Sequence, residues 1–315
     1  MQDFAFSRNQ VAVQLLARDI LCREIGERMN TSIQYQELTE VGSGTVQKAL
    51  RLLENAGAVS LQARGHQGTF VVDRHVGLLW AIAGLGAVTG VLPLTDCTEG
   101  WGLAAGLREQ FDGLGIPLQM LYLHGASRRV QMVRDARADF VLLSRAAADG
   151  MRDGGTDAEW LELDLGAHSY YSHASMVVLL RPHLAEEGPG AIRTVGIDPD
   201  SPDHMQLTLA EFPESAGYDY QAHGHARLLM AVAKGEIDAA VWHRTSLLIP
   251  PELAGIGVSS LQRQEALDLL ESLSRALLLA PNGKRELGAV LRHLDLARIR
   301  DTQARLLRDE IAPVY

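Results

Sequence analysis

From Tyr35 to Val72 the chain reads YQELTEVGSGTVQKALRLLENAGAVSLQARGHQGTFVV, and its apolar positions change period part of the way through. Val46, Ala49, Leu50 and Leu53 recur at i, i+3, i+4 and i+7, which puts one stripe of a helix against a core. Ser43, Gln47, Lys48 and Arg51 fall off that stripe and stay polar. Gly57 stands where such a helix ends in a left-handed cap. Ala58 to Leu61 then begins a strand, and Arg64-Gly65-His66-Gln67-Gly68 makes a tight turn into a second strand, Thr69 to Val72. Two short helices around a glycine turn, followed by a hairpin with a basic tip, predict a winged helix-turn-helix. The second helix and the hairpin tip of that unit are the parts that meet duplex DNA. The residues placed to do so are Ser43, Thr45, Gln47, Lys48 and Arg51 on the helix, with Arg64, His66 and Gln67 in the turn.

Outside this segment the pattern predicts a larger α/β body. Asn9 to Met29 reads as the first helix of the head, with Val11, Leu15, Ile20 and Ile25 at its apolar positions. Leu78 to Leu94 carries no charge, but it is shorter than the ~20 apolar residues a membrane helix needs. Gly84, Gly86, Gly90 and Pro93 interrupt it. It predicts a linker or short helix and then a buried parallel strand over Ala87 to Leu92, with no membrane insertion. Gln264 to Leu273 and Glu286 to Leu307 predict amphipathic helices on either side of a strand at Ala276 to Ala280.

The body contains an internal echo. VRDARADFVLLSR (133–145) and VAKGEIDAAVWHR (232–244) align without a gap, so Asp139 matches Asp238 and Ser144-Arg145 matches His243-Arg244. Apolar residues between an aspartate and a polar tip describe a strand buried on both faces, as parallel strands flanked by helices are. A second pair, VLPLTD (91–96) and VGIDPDS (195–201), likewise joins a strand end to a helical pattern. Two similar α/β lobes follow, with the chain crossing between them around residues 165–194 and again near 247–258. Ligands of parallel α/β sheets bind beyond the carboxyl ends of the strands, so the polar strand tips should line a shared cleft. They are Thr95, Asp96, Thr98, Ser144 and Arg145 from the first lobe, and Asp198, Ser201, Asp203, Trp242 and His243 from the second. Helix starts near Thr98 and Ser201 favour an anionic group, and Arg145 or Arg244 could pair with it bidentately. Asp139 and Asp238, at the far ends of their strands, are structural.

Charge sharpens this division. Eight of the 29 Lys+Arg and eight of the 39 Asp+Glu fall in residues 1–75, so the head is neutral and the other 240 residues carry the whole −10. That balance excludes a protein that coats nucleic acid indiscriminately. Apolar content of 47% with 22% charged residues fits a globular protein with room for a small and a large core. Cys22 and Cys97 are too few for a disulfide framework and read as reduced thiols of a cytoplasmic protein. No apolar signal-like core lies near Asp3. His223-Gly224-His225 has no cysteine or carboxylate at ligand spacing beside it, and neither H-E-x-x-H, G-x-S-x-G nor a P-loop occurs. No metal, cofactor or catalytic residue is expected.

Gly68-Thr69-Phe70-Val71, following Thr45-Val46-x-x-Ala49-Leu50 and Leu53-Glu54-x-x-Gly57, resembles the end of the GntR-type winged helix over about seventy residues. Ser43 and Gln47 stand where such heads usually carry arginine. Gln34 replaces the usual N-cap serine, although Glu37 keeps the capping-box partner. PLTDCTEGWGLAAGLREQFDG and ADFVLLSRAA resemble the YhfZ regulators, and that likeness extends over nearly the whole chain. It implies a winged helix over 1–74, a linker over 75–86 and a two-lobed, type 2 periplasmic-binding-protein-like domain over 87–315. Together with the strand tips and helix starts above, this predicts a homodimeric transcription regulator that binds double-stranded DNA and senses a small organic anion. The alternative is an enzyme or solute-binding protein of the two-lobed fold with a vestigial head.

Overall fold

The computed structural model describes residues 8–94, 97–153, 159–172, 175–184, 188–244, 253 and 255–312. They form two compact units, neither of them continuous in sequence. The first runs through Val88 and takes in Gln110–Gln119 and Asn282–Leu294; the second comprises Thr89–Glu109, Met120–Pro281 and the chain from Asp295 onward.

The head opens with α1 (Arg8–Leu21), which stops eight residues short of the predicted Met29. Gly26, at φ +85°, turns the chain, and the residues after it pair with the wing instead of continuing the helix. The Gly26 amide donates to Val71 O at 2.7 Å, Val71 N to Glu27 O at 3.0 Å and Met29 N to Thr69 O at 2.8 Å. α2 (Ser32–Thr39) is capped by Thr31, one turn earlier than the sequence suggested. Gln34 is the third residue of that helix and its side chain returns to the Thr31 amide at 2.8 Å, so Gln34, not Glu37, closes the capping box.

α3 (Ser43–Asn55) buries Val46, Ala49 and Leu53 and leaves Leu50 half-exposed. It ends as predicted at Gly57, whose φ of +71° lets Ala58 N reach Leu53 O at 2.9 Å. β1 (Val59–Ala63) and β2 (Thr69–Arg74) form the antiparallel wing. Leu16, Ile20, Tyr35, Leu53 and Val71 are among the residues that fill the core.

The stretch expected to be a linker or short helix contains α4 (Val76–Ile82), and it is packed, with Leu79 and Ala83 fully buried. Gly77 lies so close to the 110–119 segment that a Cβ there would stand 1.6 Å from Leu114 O. Residue 77 must therefore lack a side chain.

The second unit holds two five-stranded sheets. One has the order β4-β3-β5-β12-β6, built from Leu118–Tyr122, Val88–Leu92, Phe140–Ser144, Ala276–Pro281 and Trp160–Asp164. The other has the order β11-β7-β10-β8-β9, from Gly257–Ser260, Met176–Leu180, Ala239–His243, Thr194–Ile197 and Asp219–Ala222. β3 runs parallel to β5 and β8 parallel to β10, as the apolar runs implied. The helices that follow α4 are α5 (Thr98–Leu114), α6 (Ala126–Arg134), α7 (Arg145–Asp153), α8 (Pro202–Glu211), α9 (His225–Ala233), α10 (Gln264–Leu273), α11 (Arg285–Leu291) and α12 (Leu296–Leu307), of which α11 and the end of α5 lie in the first unit.

Two expectations need correction. The first crossing lies between β6 and β7, within the predicted span. The second is not at 247–258, because β11 still belongs to the second sheet; the chain returns through α10, after Ser260. The helix expected over Glu286–Leu307 is two, since Asp295 caps a new start by accepting from Arg298 N at 3.0 Å. Among the described residues no helix is long and apolar enough to cross a membrane.

Candidate functional site

The polar side of α3 is open to solvent. Ser43, Gln47, Lys48 and Arg51 are exposed along it and Thr45 is half-buried, because the buried stripe at 46, 49 and 53 turns them outward. Lys48 and Arg51 form no ion pair among the described residues, so their charges remain available. At the wing tip Arg64, His66 and Gln67 are exposed. Arg64 is nonetheless oriented: its guanidinium lies 4.6 Å over the Phe70 ring and its Nε donates to Gln62 Oε1 at 3.0 Å.

The sequence reading missed Arg28 because it placed that residue inside the first helix. Arg28 bridges to Phe70, and a Cβ on Gly68 would meet its Nε at 2.7 Å, so it adds an exposed cation at the base of the wing. Gly26, an awkward residue within a helix, was the available signal.

The second unit holds a cavity of about 70 Å³. The first turns of three helices line it: Gly100 of α5 with Cys97 before it, Ala126 of α6 with Gly125 before it, and Pro202 and Asp203 of α8 with its N-cap Ser201. Unpaired backbone amides at helix starts carry partial positive charge. Arg129, one turn into α6, adds a full one. It is 5% exposed and lines the cavity; among the described residues it donates only to Leu123 O at 3.0 Å and to Tyr170 Oη at 3.3 Å, leaving Nε without a partner there. Tyr170, Tyr171, His124 and His243 complete the polar wall. The His243 ring lies 5.2 Å from that of Tyr171.

Three of the predicted cleft residues, Ser201, Asp203 and His243, line this cavity. Ser144 and Asp198 stand directly behind it. The Ser144 hydroxyl bonds to Asp203 and accepts from Ala147 N at 3.1 Å, and Asp198 faces His124 at 3.0 Å. Thr98 begins α5 but is not part of the wall, and Thr95 and Asp96 lie outside the described residues.

Two expectations fail on geometry. Arg145 does not face the cavity: its guanidinium pairs with Glu162 and with Asp164, each at 2.9 Å, on β6. Trp242 is turned away because neighbours on a strand point to opposite faces. His243 looks into the cavity while Trp242 packs among Val177, Leu228 and Ile256. The cation the sequence sought is Arg129, and its trace in the sequence is a charge on the buried stripe of α6 shared with Val130 and Val133.

Asp203 is the unusual member of the wall. It is 7% exposed, and its Oδ1 meets no donor among the described residues. Burial pushes its carboxyl up, against the opposing pull of the Ser144 hydrogen bond and the Arg129 charge. Among the described residues no cluster of three or more His, Cys, Asp or Glu is placed to hold a metal.

Comparison with known proteins matches residues 76–315 to the YhfZ C-terminal domain and residues 24–71 to a helix-turn-helix domain. YhfZ of Escherichia coli K12 is 29% identical over 234 residues, 74% of each chain. The crystal structure of YhfZ from Shigella flexneri superposes with a TM-score of 0.58 at 23% identity, over 76% of this chain and 98% of that one. The periplasmic aliphatic sulphonate binding protein SsuA of Escherichia coli gives a TM-score of 0.51 at 14% identity, over 71% and 75% of the two chains. The two-sheet body therefore has a periplasmic-binding-protein-like fold, and the matches point to a regulator rather than to a catalytic family.

Proposed function

The chain belongs to the YhfZ family, and from that premise we propose that it is a DNA-binding transcription regulator whose two-lobed domain senses a small organic anion. The observation that carries the effector half is Arg129, a buried arginine without a carboxylate partner among the described residues, facing a cavity walled by three helix starts. A buried unpaired charge is costly, and an anionic ligand is the group that would offset it. The relative that binds sulphonates lends the fold, but its ligand does not transfer at 14% identity.

The DNA half is supported by the exposed, unpaired Lys48 and Arg51 on α3 together with Arg28 and Arg64 at the wing. A single head makes few contacts, so the reading includes a homodimer that presents two heads to an inverted repeat. It also includes a cytoplasmic location, where the DNA is. Effector binding would then change operator affinity through a coupling free energy between the two sites.

The test has two stages. Duplexes selected by the full-length protein from a random pool should converge on a repeated half-site. A thermal-shift screen of small carboxylates, phosphates and sulphonates should then give a stabilising ligand that changes affinity for that duplex. Failure to enrich any sequence contradicts the regulator reading, and an Arg129→Gln variant that binds the ligand as tightly as the parent contradicts the cavity assignment.

A further inference from the structure

We infer that the ligand of this cavity carries a protonated amine beside its anionic group, with Asp203 reading the amine and Arg129 the anion. This rests on the effector reading above and narrows it from anions in general to small zwitterions such as α-amino acids.

A guanidinium and a carboxyl line one small cavity and form no ion pair among the described residues. Arg129 and Asp203 are both more than nine-tenths buried and both belong to the wall, yet no carboxylate lies within 4.0 Å of Arg129 among the described residues. In a dry interior such a pair gains most by closing into direct contact. Here each is held back. Arg129 is tied to Leu123 O and to the Tyr170 hydroxyl, and Asp203 is tied to Ser144 at the start of α8. Each also keeps an atom without a partner among the described residues, Arg129 Nε and Asp203 Oδ1. Beside them Asp198 faces His124 at 3.0 Å.

A ligand with charges of both signs satisfies the two groups together. A simple anion satisfies Arg129 alone and brings its charge towards a buried carboxyl. Burial raises the Asp203 carboxyl even against the Ser144 hydrogen bond and the charge of Arg129. A ligand ammonium beside Asp203 favours the carboxylate form. The alternative is a protonated Asp203 that donates to the anion. It predicts the opposite preference, so one comparison decides between the two.

The experiment uses the full chain and matched α-amino acids and α-hydroxy acids, which share side chain and carboxylate and differ only at the amine. Isothermal calorimetry should find at least one amino acid bound about tenfold or more tightly than its hydroxy counterpart. Asp203→Asn should level the two while carboxylate binding persists, and Arg129→Gln should abolish both. A hydroxy acid bound as tightly as its amino acid, or more so, overturns the inference while leaving the anion reading in place. No binding by either series, with a stabilising anion found in the wider screen, also overturns it. No binding by any anion overturns the effector reading itself. The comparison on the unmodified chain decides even where a variant does not fold.

Discussion

Asp139 and Asp238 hold matching places in the two lobes, each clipping the start of the neighbouring parallel strand. Asp139 accepts from Thr89 N at 2.8 Å and gives its own amide to Thr89 O at 2.7 Å. Asp238 repeats this with Thr194 at 2.9 and 3.0 Å, and adds the Arg193 amide at 2.8 Å and Arg181 Nε at 2.7 Å. The alignment of 133–145 with 232–244 thus reflects a repeated structural device, and both aspartates are structural as the sequence implied.

Replacing Asp238 with Asn should destabilise the second lobe by about 1.5–3 kcal/mol, the range for hydrogen bonds to a charged group. Burial alone would raise this carboxyl, but the Thr194 and Arg193 amides and Arg181 outweigh it and hold it below 3.8. A depressed acid contributes stability above its unfolded pKa and loses it as the pH falls through the folded value. The gap between parent and variant should therefore be full at pH 7 and shrink below about pH 4. Urea melts at the two pH values measure it, and a gap that widens in acid contradicts the assignment.

On the head, Lys48→Ala and Arg64→Ala should weaken binding to all duplexes and make the dependence on salt shallower by about one counterion each. Gln47→Ala should instead relax the choice of base, since a glutamine pairs bidentately with adenine. Fluorescence anisotropy across a salt series separates the two. Unchanged affinity in all three variants would show that this face is not the DNA surface.

The two arginines should behave oppositely. Arg129→Gln should lose ligand binding by about 2–5 kcal/mol, the cost of breaking a buried charge pair. Arg145→Ala should leave ligand affinity within about threefold, because its partners are Glu162 and Asp164, and should instead lower stability by roughly 1 kcal/mol. Calorimetry and thermal melts on both variants read the contrast. A ligand that depends on Arg145 and ignores Arg129 would reverse the assignment.

Assembly gives a further prediction. A regulator that reads an inverted repeat should be a homodimer in solution, with half-sites about one helical turn apart. Light scattering that finds only monomer at micromolar concentration, with and without the selected duplex, would remove the two-headed mechanism.

Much of the fold was legible because it is written locally. The stripe at 46, 49 and 53, the cap at Gly57 and the aspartate-led strands declare themselves within a dozen residues. What escaped depends on pairing across distance. Residues 26–29 look helical until β2 claims their hydrogen bonds. Arg145 stands at a strand tip in the sequence, and β6 brings Glu162 and Asp164 beside it. Trp242 and His243 looked like joint members of one tip, although strand alternation alone should have separated them. Arg129 escapes any reasoning from strand ends because its charge enters from a helix face.

The place of β12 bears on how the protein is made. This strand comes from residues 276–281, yet it sits inside the first sheet with β5 on one side and β6 on the other. Every strand of the second sheet lies between residues 176 and 260. As the chain leaves the ribosome the second lobe can complete its sheet first. The first must wait, its two halves unjoined, until β12 arrives after the whole of its sister lobe. The unit that contains the head waits longer still, since it also draws on Asn282–Leu294. A ribosome halted before residue 276 would thus release one finished lobe and two open partners, so no partly made chain would carry a completed regulator.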